Sequence, residues 1–336
     1  MRPDPPAAMS LIPERTERTP PARCLVVVNP VSRRGADSLL DHLRERMPAE
    51  TRLSIVETTT TPLERGALEA AAREADLVVA VGGDGTVAET LTAMDRASTP
   101  VGIIAGGSTN IIALELGIPA DPAAAAALLF GEHRVIEMDA ATCNGETFLH
   151  MAGAGFDSRI FDNTSRRQKQ RFGWLAYLPS AAHSLRLPPA RFAVTTDDAA
   201  FEITSPMVIV ANGAGIIRPE LPIYPGIAYD DGLLDLIAVT ATAPSDIATV
   251  LARFVTRRMR DSPHILHARS RSIRIEADPV IPIQLDGNVS GATPATIELR
   301  DQRARMIVPS TGAGWLAGRG GLGREGRSRA ARRWGR

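Results

Sequence analysis

The chain has 336 residues, enough for one large or two ordinary domains, and its apolar content of 44% is that of a globular protein. Its 38 basic and 38 acidic residues cancel, which argues against a wholly basic nucleic-acid-binding protein. No run of about 18 apolar residues predicts a transmembrane helix, and the first residues lack an apolar signal core, so we expect a cytoplasmic protein. Two cysteines, Cys24 and Cys143, are too few for a disulfide framework or a metal cluster.

The chain contains a single lysine, Lys169. It lies neither in a Gly-Lys-Ser/Thr loop nor in the strand that carries the lysine of protein kinases. The sequence therefore excludes a Walker A loop and a protein kinase. A nucleotide bound by this chain would be held by backbone groups, hydroxyls, arginine or metal.

The first part of the chain is predicted to alternate strands and helices. Residues 1–21 are rich in proline and arginine, and residues 311–336 in glycine and arginine, so we expect both ends to be disordered. A strand is predicted at 24–28 and a second one from Leu53, with a helix between them whose leucines recur on one face. Thr61 is typical of a helix N-cap, and its place after a strand puts it near the expected ligand crevice.

Two strand-to-glycine units follow one another at the centre of this part. Leu77–Val81 breaks into Gly82–Thr86, and Val101–Ile104 breaks into Ala105–Asn110. In parallel sheets ligands bind beyond the carboxyl ends of the strands, so both glycine loops are expected to open onto one crevice. Glycine lets a phosphate approach backbone N–H groups closely. Asp84 would repel a bare phosphate, and it fits there if a cation bridges it to the phosphates or if it holds a hydroxyl.

The α/β pattern continues beyond the second glycine loop. A short helix is predicted from Ile111, with Gly117 as its C-cap, and Asp121-Pro122 caps the next helix. Alternating strands and helices indicate a doubly wound α/β domain over residues 22–140.

The later part of the chain changes to short strands and Asp-Gly or Asn-Gly turns. A hairpin is predicted from 135–143 and 147–151 around Asn144-Gly145, and one helix from about Ser245 to Met259. The other predicted strands are Met207–Ala211, Leu233–Val239, Ser272–Glu276, Ile281–Leu285 and Ala295–Leu299. This pattern predicts a mostly-β domain over residues 141–303, a sandwich or an open barrel.

The motifs in this order resemble the diacylglycerol kinase catalytic family, which includes bacterial lipid kinases and sphingosine kinases. The matching pieces are Val28-Asn29-Pro30 with Gly35, Thr61, Gly82–Thr86 with Glu89, Gly107–Asn110 followed by Leu116–Pro119, Gly155-Phe156-Asp157, Asp231–Asp235 and Asp286-Gly287. The Gly-Gly-Asp-Gly-Thr loop alone is less specific, because NAD kinases share it and phosphofructokinases carry a similar loop. The ordered set is specific.

The resemblance implies an ATP- and Mg²⁺-dependent kinase that phosphorylates a lipid hydroxyl, of diacylglycerol or a related lipid alcohol. Its NAD-kinase/phosphofructokinase-like α/β domain would bind ATP, its β-sandwich domain would help bind lipid, and a strand near residues 304–308 would return to the first domain. The implied nucleotide-binding positions are Asn29, Thr61, Gly82, Gly83, Asp84, Gly85, Thr86, Glu89, Ser108 and Asn110. A structural Mg²⁺ would be held by Asp231 and the carbonyls of Ala228 and Leu233, although Asp231 also fits a plain turn residue.

Two positions depart from the family pattern. Relatives usually carry Asp-Gly-Glu near the C-terminal end, where the glutamate is taken as the proton acceptor for the lipid hydroxyl. Here the sequence is Asp286-Gly287-Asn288, and an amide cannot accept that proton. Loss of a general base typically costs about 10²–10⁴ in rate, and Asp286 or Asp84 could take over the role. Ile111 stands where relatives often have an acid.

Two alternative functions stay open from the sequence. A lipid- or nucleotide-binding protein that has lost catalysis would explain Asn288, and an NAD kinase would share the first glycine loop. The lipid would be met at a membrane surface, where the basic groups Arg166–Arg171 and Arg253–Arg260 could touch anionic headgroups or form an ordinary solvated face. Relatives often form dimers, so a homodimer is an expected partner.

Overall fold

A computed structural model of the chain describes residues 20–30, 35–58, 62–94, 98–107, 109–155, 188–215, 222–241 and 243–310, and only the backbone of residues 62–65. Several sequence predictions fall outside these ranges. They are Thr61, Ser108, the basic group Arg166–Arg171, and the ends 1–19 and 311–336.

The first of three six-stranded sheets in the described residues is mostly parallel and has the order β2-β1-β3-β4-β18-β5. Its strands are β1 Arg23–Val28, β2 Arg52–Glu57, β3 Leu77–Gly82, β4 Val101–Ala105, β5 His133–Met138 and β18 Ala304–Pro309. Every residue of β3 and β4 is buried, as expected for central parallel strands covered on both faces. β18 pairs parallel with β4 and antiparallel with β5, so the end of the described chain lies inside the first sheet.

Five helices pack on this sheet. They are α1 Ala36–Arg46, α2 Pro62–Glu74, α3 Asp84–Ala93, α4 Ile111–Glu115 and α5 Pro122–Phe130. α1 packs against α5, and α2 packs against α3, so the helices form two groups with β3 between them. Leu39, Leu40 and Leu43 are the buried face of α1. The Asp121 side chain caps α5 by accepting from the Ala124 N–H at 2.9 Å.

The other two sheets are antiparallel and pack face to face. Their orders are β10-β9-β14-β17-β6-β7 and β13-β12-β11-β8-β15-β16. The strands are β6 Ala141–Cys143, β7 Glu146–Phe148, β8 Met151–Ala154, β9 Ala190–Thr196, β10 Ala200–Ser205, β11 Met207–Ala211, β12 Leu234–Val239, β13 Ile265–Ser270, β14 Ser272–Asp278, β15 Pro282–Leu285, β16 Asn288–Ala292 and β17 Ala295–Leu299. One apolar cluster takes side chains from both sheets, including Phe192 and Leu236. The predicted fold class, an α/β domain followed by a β-sandwich, is confirmed.

Two local predictions were wrong in their bounds. The strand predicted over 135–143 is two strands, because the chain leaves the first sheet at Asp139-Ala140 and joins the second sheet at β6. The late helix, α6, spans Pro244–Val255 and stops short of Met259, because Arg257 takes a left-handed backbone angle of φ 57°. None of the helices in the described part of the chain is long and apolar enough to span a bilayer.

The two segments that connect the first sheet to the sandwich are tied together. Arg303, on the returning segment, donates from Nε to Asp139 Oδ1 at 2.8 Å, and the Gly232 N–H donates to Asp139 Oδ2 at 2.7 Å. Arg300 donates to the carbonyl of Leu91 on α3 at 2.7 Å. These bonds place the edge of the sandwich beside the glycine loops of the first sheet.

Candidate active site

The two glycine loops pack backbone against backbone at the carboxyl ends of β3 and β4. The Gly106 N–H donates to the Gly82 carbonyl at 2.8 Å. A Cβ atom on Gly107 would lie 2.6 Å from the Gly83 Cα atom, too close for any side chain. Glycine is therefore required by the contact between the loops, which lie side by side at one edge of the sheet; the common ligand crevice stays a prediction.

Asn110 organises the second loop. It has a left-handed backbone angle of φ 52°, which asparagine tolerates better than most residues. Its Oδ1 accepts from the Gly107 N–H at 2.9 Å, and its Nδ2 donates to the Gly107 carbonyl at 3.0 Å. The side chain thus closes the loop on itself, and its amide is used within the protein.

Asp84 joins the first loop to the helix that follows the second loop. It is the first residue of α3, and its Oδ1 accepts from the Ile112 N–H at 3.1 Å, at the start of α4. Burial raises the pKa of Asp84, against the lowering effect of the N–H groups of Ile112 and Ile111. The Asp84 carboxylate therefore holds the two loops in register at the expected phosphate site.

The other nucleotide-binding candidates in the described part of the chain lie around these loops. Asn29 is half-buried at the end of β1, and its backbone N–H donates to the Val81 carbonyl at 3.1 Å. Glu89 is half-buried on α3. The Thr86 hydroxyl is buried against Gly82 and has no hydrogen-bond partner among the described residues, so it faces the end of β3. Gly85 is exposed at the open side of the loop.

The Asp286-Gly287 turn joins β15 to β16 on the sandwich. Both residues have positive φ, 47° and 90°, and Leu285 pairs with Asn288, which defines a two-residue type I′ hairpin turn. The Gly287 N–H donates to Gln284 Oε1 at 2.6 Å. The hairpin that the Asp-Gly pair predicts is therefore formed. The pairing of Leu285 with Asn288 and the bond from Gly287 to Gln284 stabilise it.

The Asp286 carboxylate fastens this turn to the segment between β7 and β8. It accepts the N–H groups of Leu149, His150 and Met151, each at 2.9 Å. Burial raises the pKa of Asp286, although the charge of His150 and these three N–H groups lower it. Three donors occupy the carboxylate, so its geometry suits an anchor for the turn better than a proton acceptor.

Asn288 faces the first glycine loop across the two domains. A Cβ atom on Gly85 would lie 3.6 Å from Asn288 Nδ2. The position where relatives carry a glutamate is therefore beside the expected phosphate site. The first loop thus contacts the second loop through Gly83 and the Asp286 turn through Gly85.

A buried group that the sequence analysis missed lies next to these parts. Glu115 at the end of α4, His150 between β7 and β8, and Tyr229 before β12 are each at most 5% exposed. The Tyr229 hydroxyl donates to Glu115 Oε2, and the Gly215 N–H donates to Glu115 Oε1 at 2.7 Å. His150 Nδ1 lies 3.0 Å from the Tyr229 oxygen and 3.3 Å from Glu115 Oε2. The sequence does contain one signal of this group: Glu115 is the single charged residue in the apolar run Ile111–Leu116.

The charge of Glu115 controls the ionisation of His150. Burial lowers the pKa of His150, but the Glu115 carboxylate, through its charge and hydrogen bond, the charge of Asp286 and a hydrogen bond with the Gly215 backbone outweigh it and raise the pKa overall. His150 Nε2 is buried and has no hydrogen-bond partner among the described residues. A Cβ atom on Gly213 would clash with both His150 Nδ1 and the Tyr229 hydroxyl. The absence of a side chain at Gly213 therefore leaves the space that the His150 ring and the Tyr229 hydroxyl occupy.

The predicted magnesium site at Asp231 contains an arginine. Asp231 Oδ1 accepts from the Leu233 N–H at 3.1 Å, and the Asp231 carboxylate pairs with the Arg269 guanidinium. Arg269 Nε also lies 3.2 Å from Asp235 Oδ1. Burial raises the pKa of Asp231 against the effect of Arg269, and the described residues contain no group of three or more metal-ligating side chains. Asp231 is therefore paired with a cationic side chain, and a magnesium site formed by Asp231 with the carbonyls of Ala228 and Leu233 stays a prediction.

Comparison with known proteins gives matches over both domains. The sequence model of the diacylglycerol kinase catalytic domain matches residues 23–143, and that of the YegS C-terminal NAD kinase beta sandwich-like domain matches residues 150–308. A Bacillus subtilis protein named diacylglycerol kinase is 26% identical over 300 residues, which cover 85% of this chain and 96% of that protein. A Pseudomonas aeruginosa protein named probable lipid kinase YegS-like is 32% identical over 213 residues, 62% of this chain and 69% of that protein.

A solved structure agrees with these sequence matches. The crystal structure of a candidate diacylglycerol kinase from Bacillus anthracis is 27% identical and superposes with a TM-score of 0.70. The match covers 88% of this chain and 98% of that one, so it includes both the parallel sheet and the sandwich.

Proposed function

Because the chain belongs to the diacylglycerol kinase catalytic-domain family of lipid kinases, we propose that it transfers the γ-phosphoryl group of ATP to the hydroxyl of diacylglycerol or a related lipid alcohol. The observation that carries this proposal is that the first glycine loop contacts both the second glycine loop and the Asp286 turn. The first glycine loop packs on the second where Gly83 meets Gly107, and it meets the Asp286 turn where Asn288 Nδ2 approaches Gly85. The nucleotide and the acceptor are then bound by different domains.

The nucleotide phosphates would bind at the glycine loops. Gly83 and Gly107 pack backbone on backbone, and backbone N–H groups at the start of a helix attract phosphate. Mg²⁺ bound with ATP would neutralise phosphate charge, and Asp84 is the carboxylate placed to hold it, directly or through water. Asn29, Glu89, Thr61 and Ser108 remain candidate contacts from the family pattern.

The lipid acceptor would approach from the sandwich side. Asn288 lies next to Gly85 of the first loop, where the γ-phosphate would bind, and the anchored Asp286 keeps the turn in place. Phosphoryl transfer depends mainly on position and charge, so a held acceptor supports transfer even without the usual glutamate.

The membrane-facing surface would include the end of α6. Arg257 and Arg258 are exposed there beside Val255, which is 42% exposed. Cosedimentation with vesicles of neutral lipid, with and without anionic lipid, tests this role. Stronger binding to anionic vesicles, reduced in Arg257→Ala/Arg258→Ala, is expected; equal binding to both would remove the electrostatic role.

A second function is favoured by one observation, the amide at Asn288. A family member that binds lipid and nucleotide without transferring phosphate would need the same loops and no proton acceptor. Such a protein would bind ATP with turnover near background on every lipid alcohol.

The test is lipid-dependent ATP turnover by the purified chain with Mg²⁺, over a panel of lipid alcohols in mixed micelles. Asp84→Ala is the site variant, and Asp37→Ala, on the exposed first turn of α1, is the matched control. Turnover that is lost in Asp84→Ala and kept in Asp37→Ala supports the kinase, and the panel identifies its acceptor. ATP binding without turnover favours the binding protein. NADP formation from NAD indicates an NAD kinase instead.

A further inference from the structure

We propose that His150 is the proton acceptor for the lipid hydroxyl, with Nε2 as the accepting atom and with Glu115 and Tyr229 as the residues that position its ring. This inference rests on the proposed kinase function. It assigns the proton-acceptor role to a residue that is not part of the Asp-Gly-Asn turn.

The other candidates for this role are occupied or unsuitable. Asn288 carries an amide, which does not accept a proton at neutral pH. Asp286 already accepts three backbone N–H groups, and Asp84 accepts the Ile112 N–H while standing at the expected site of Mg²⁺ and phosphate. His150 is the remaining titratable side chain of this cluster, and its Nε2 atom is buried with no hydrogen-bond partner among the described residues.

The hydrogen bonds around His150 decide which ring nitrogen carries the proton. The Tyr229 hydroxyl donates its only proton to Glu115, so its oxygen can only accept from His150 Nδ1. Glu115 Oε2, at 3.3 Å, is also an acceptor. The neutral ring therefore has its proton on Nδ1 and its lone pair on Nε2. This is the arrangement of a histidine general base whose tautomer is held by a carboxylate.

The position of His150 links it to the reacting parts. Its backbone N–H is bound by Asp286, two residues before Asn288, which lies against Gly85. The charge of His150 also lowers the pKa of Asp84, so the two side chains are electrostatically coupled. Since Nε2 is buried in the free chain, the proposal requires the contact between α4 and the sandwich to open when lipid enters. A buried base is shielded from water, which favours transfer to lipid over hydrolysis of ATP.

The step balances without another reactant. The lipid hydroxyl oxygen forms a bond to the γ-phosphorus of ATP, while the bond from that phosphorus to the β,γ-bridging oxygen breaks. The hydroxyl proton moves to His150 Nε2, and ADP leaves with the electron pair of the broken bond. His150 then releases the proton to solvent when the product departs.

The pH profile separates a base from a structural histidine. The charged or titratable groups that face His150 are Glu115 from α4, Tyr229 from the segment before β12, Asp286 from the turn and Asp84 from α3. A base must be deprotonated, so activity is expected to fall at low pH as His150 becomes protonated. Because Glu115 raises the pKa of His150, Glu115→Gln is expected to move this acid limb to lower pH.

The experiment measures lipid-dependent ATP turnover against pH for the full chain, His150→Gln, Glu115→Gln and the control His264→Gln, which lies beside Asp246 at the sandwich. We expect His150→Gln to lower kcat by about 10²–10⁴ with ATP binding unchanged, and the control to match the unaltered protein. A kcat for His150→Gln within about threefold of the unaltered protein, or an acid limb unmoved by Glu115→Gln, would overturn the proposal and leave the kinase standing. Absence of turnover in the unaltered protein would reject the kinase function and this inference together.

A second readout does not depend on activity. The ¹⁵N spectrum of histidine-labelled protein at a pH above the His150 transition is expected to show one buried ring protonated on Nδ1 and bare on Nε2. Its signal should shift in Tyr229→Phe, which keeps the ring and removes the hydroxyl that accepts from Nδ1. A buried ring protonated on Nε2 would overturn the proposal.

Discussion

Asp84 on the first glycine loop and Asp286 on the sandwich turn face the same site, yet the protein uses the two carboxylates differently. Asp84 accepts from the Ile112 N–H and is also influenced by the Ile111 N–H, whereas Asp286 accepts three N–H groups from consecutive residues of the sandwich. Burial raises the pKa of both. The comparison teaches that burial and charge alone do not identify a reacting carboxylate, because the number of internal donors decides how much of it is free for a ligand.

The largest expected effect is on Asp84. Asp84→Asn keeps an oxygen for the Ile112 N–H but removes the charge that would hold Mg²⁺ and ATP. We expect a loss of about 10³-fold in kcat with little change in the free energy of unfolding. Steady-state turnover and urea unfolding check both halves. Unchanged turnover would show that the first loop does not contribute charge to the reaction.

Asp286→Asn is expected to act mainly on stability. The amide can accept with one oxygen only, so its NH₂ group must face a backbone N–H of the segment 149–151. Leaving such a buried donor unpaired costs about 1–3 kcal/mol. Urea unfolding measures the loss. If Asp286→Asn instead lowered turnover as much as Asp84→Asn at equal stability, the two carboxylates would be equivalent and the comparison would fail.

Gly107→Ala tests the backbone contact between the loops. The new Cβ atom would meet Gly83 Cα at 2.6 Å, and separating the loops costs about 1–3 kcal/mol. If this cost is lost from the free energy of ATP binding, the affinity for ATP falls at least about tenfold. Calorimetry of ATP binding measures the change. Gly66→Ala is the matched control on α2, where a Cβ atom meets nothing within 4 Å. Equal ATP affinity in both variants would show that the loops are not the nucleotide site.

The smallest effect is expected for Asn288→Glu. If His150 already accepts the proton, a glutamate beside Gly85 adds a second acceptor and turnover changes by less than about tenfold. Turnover of the saturated lipid substrate measures this, with Val289→Glu, on the exposed neighbouring residue, as the control for added charge. A gain of about 10² or more would show that the native site lacks a base and would contradict the role of His150.

Much of the fold and part of the site could be predicted from local sequence. The buried runs at β3 and β4 end in glycine loops, and the Asp286-Gly287 pair forms the predicted tight turn. These features depend on a few neighbouring residues, through burial, capping and permitted backbone angles. The family resemblance, which rests on the same motifs, is confirmed by the matches to both domains.

Other features depended on contacts between distant segments. The strand break at Asp139 follows a change of sheet that no local periodicity signals. Arg269 lies on β13 and reaches Asp231, 38 residues earlier, so the predicted metal ligand was found paired with a cation.

The sequence by itself determined which segments form strands, helices and glycine loops, because these follow from residues within a few positions of one another. Only the tertiary structure decided that Glu115, His150 and Tyr229 meet, since Tyr229 lies 114 positions after Glu115 and 79 positions after His150. Their hydrogen bonds require α4 of the first domain to pack against the sandwich, and that packing depends on the order of strands in three sheets. The physical reason is that a buried polar group is stable only when distant partners satisfy it.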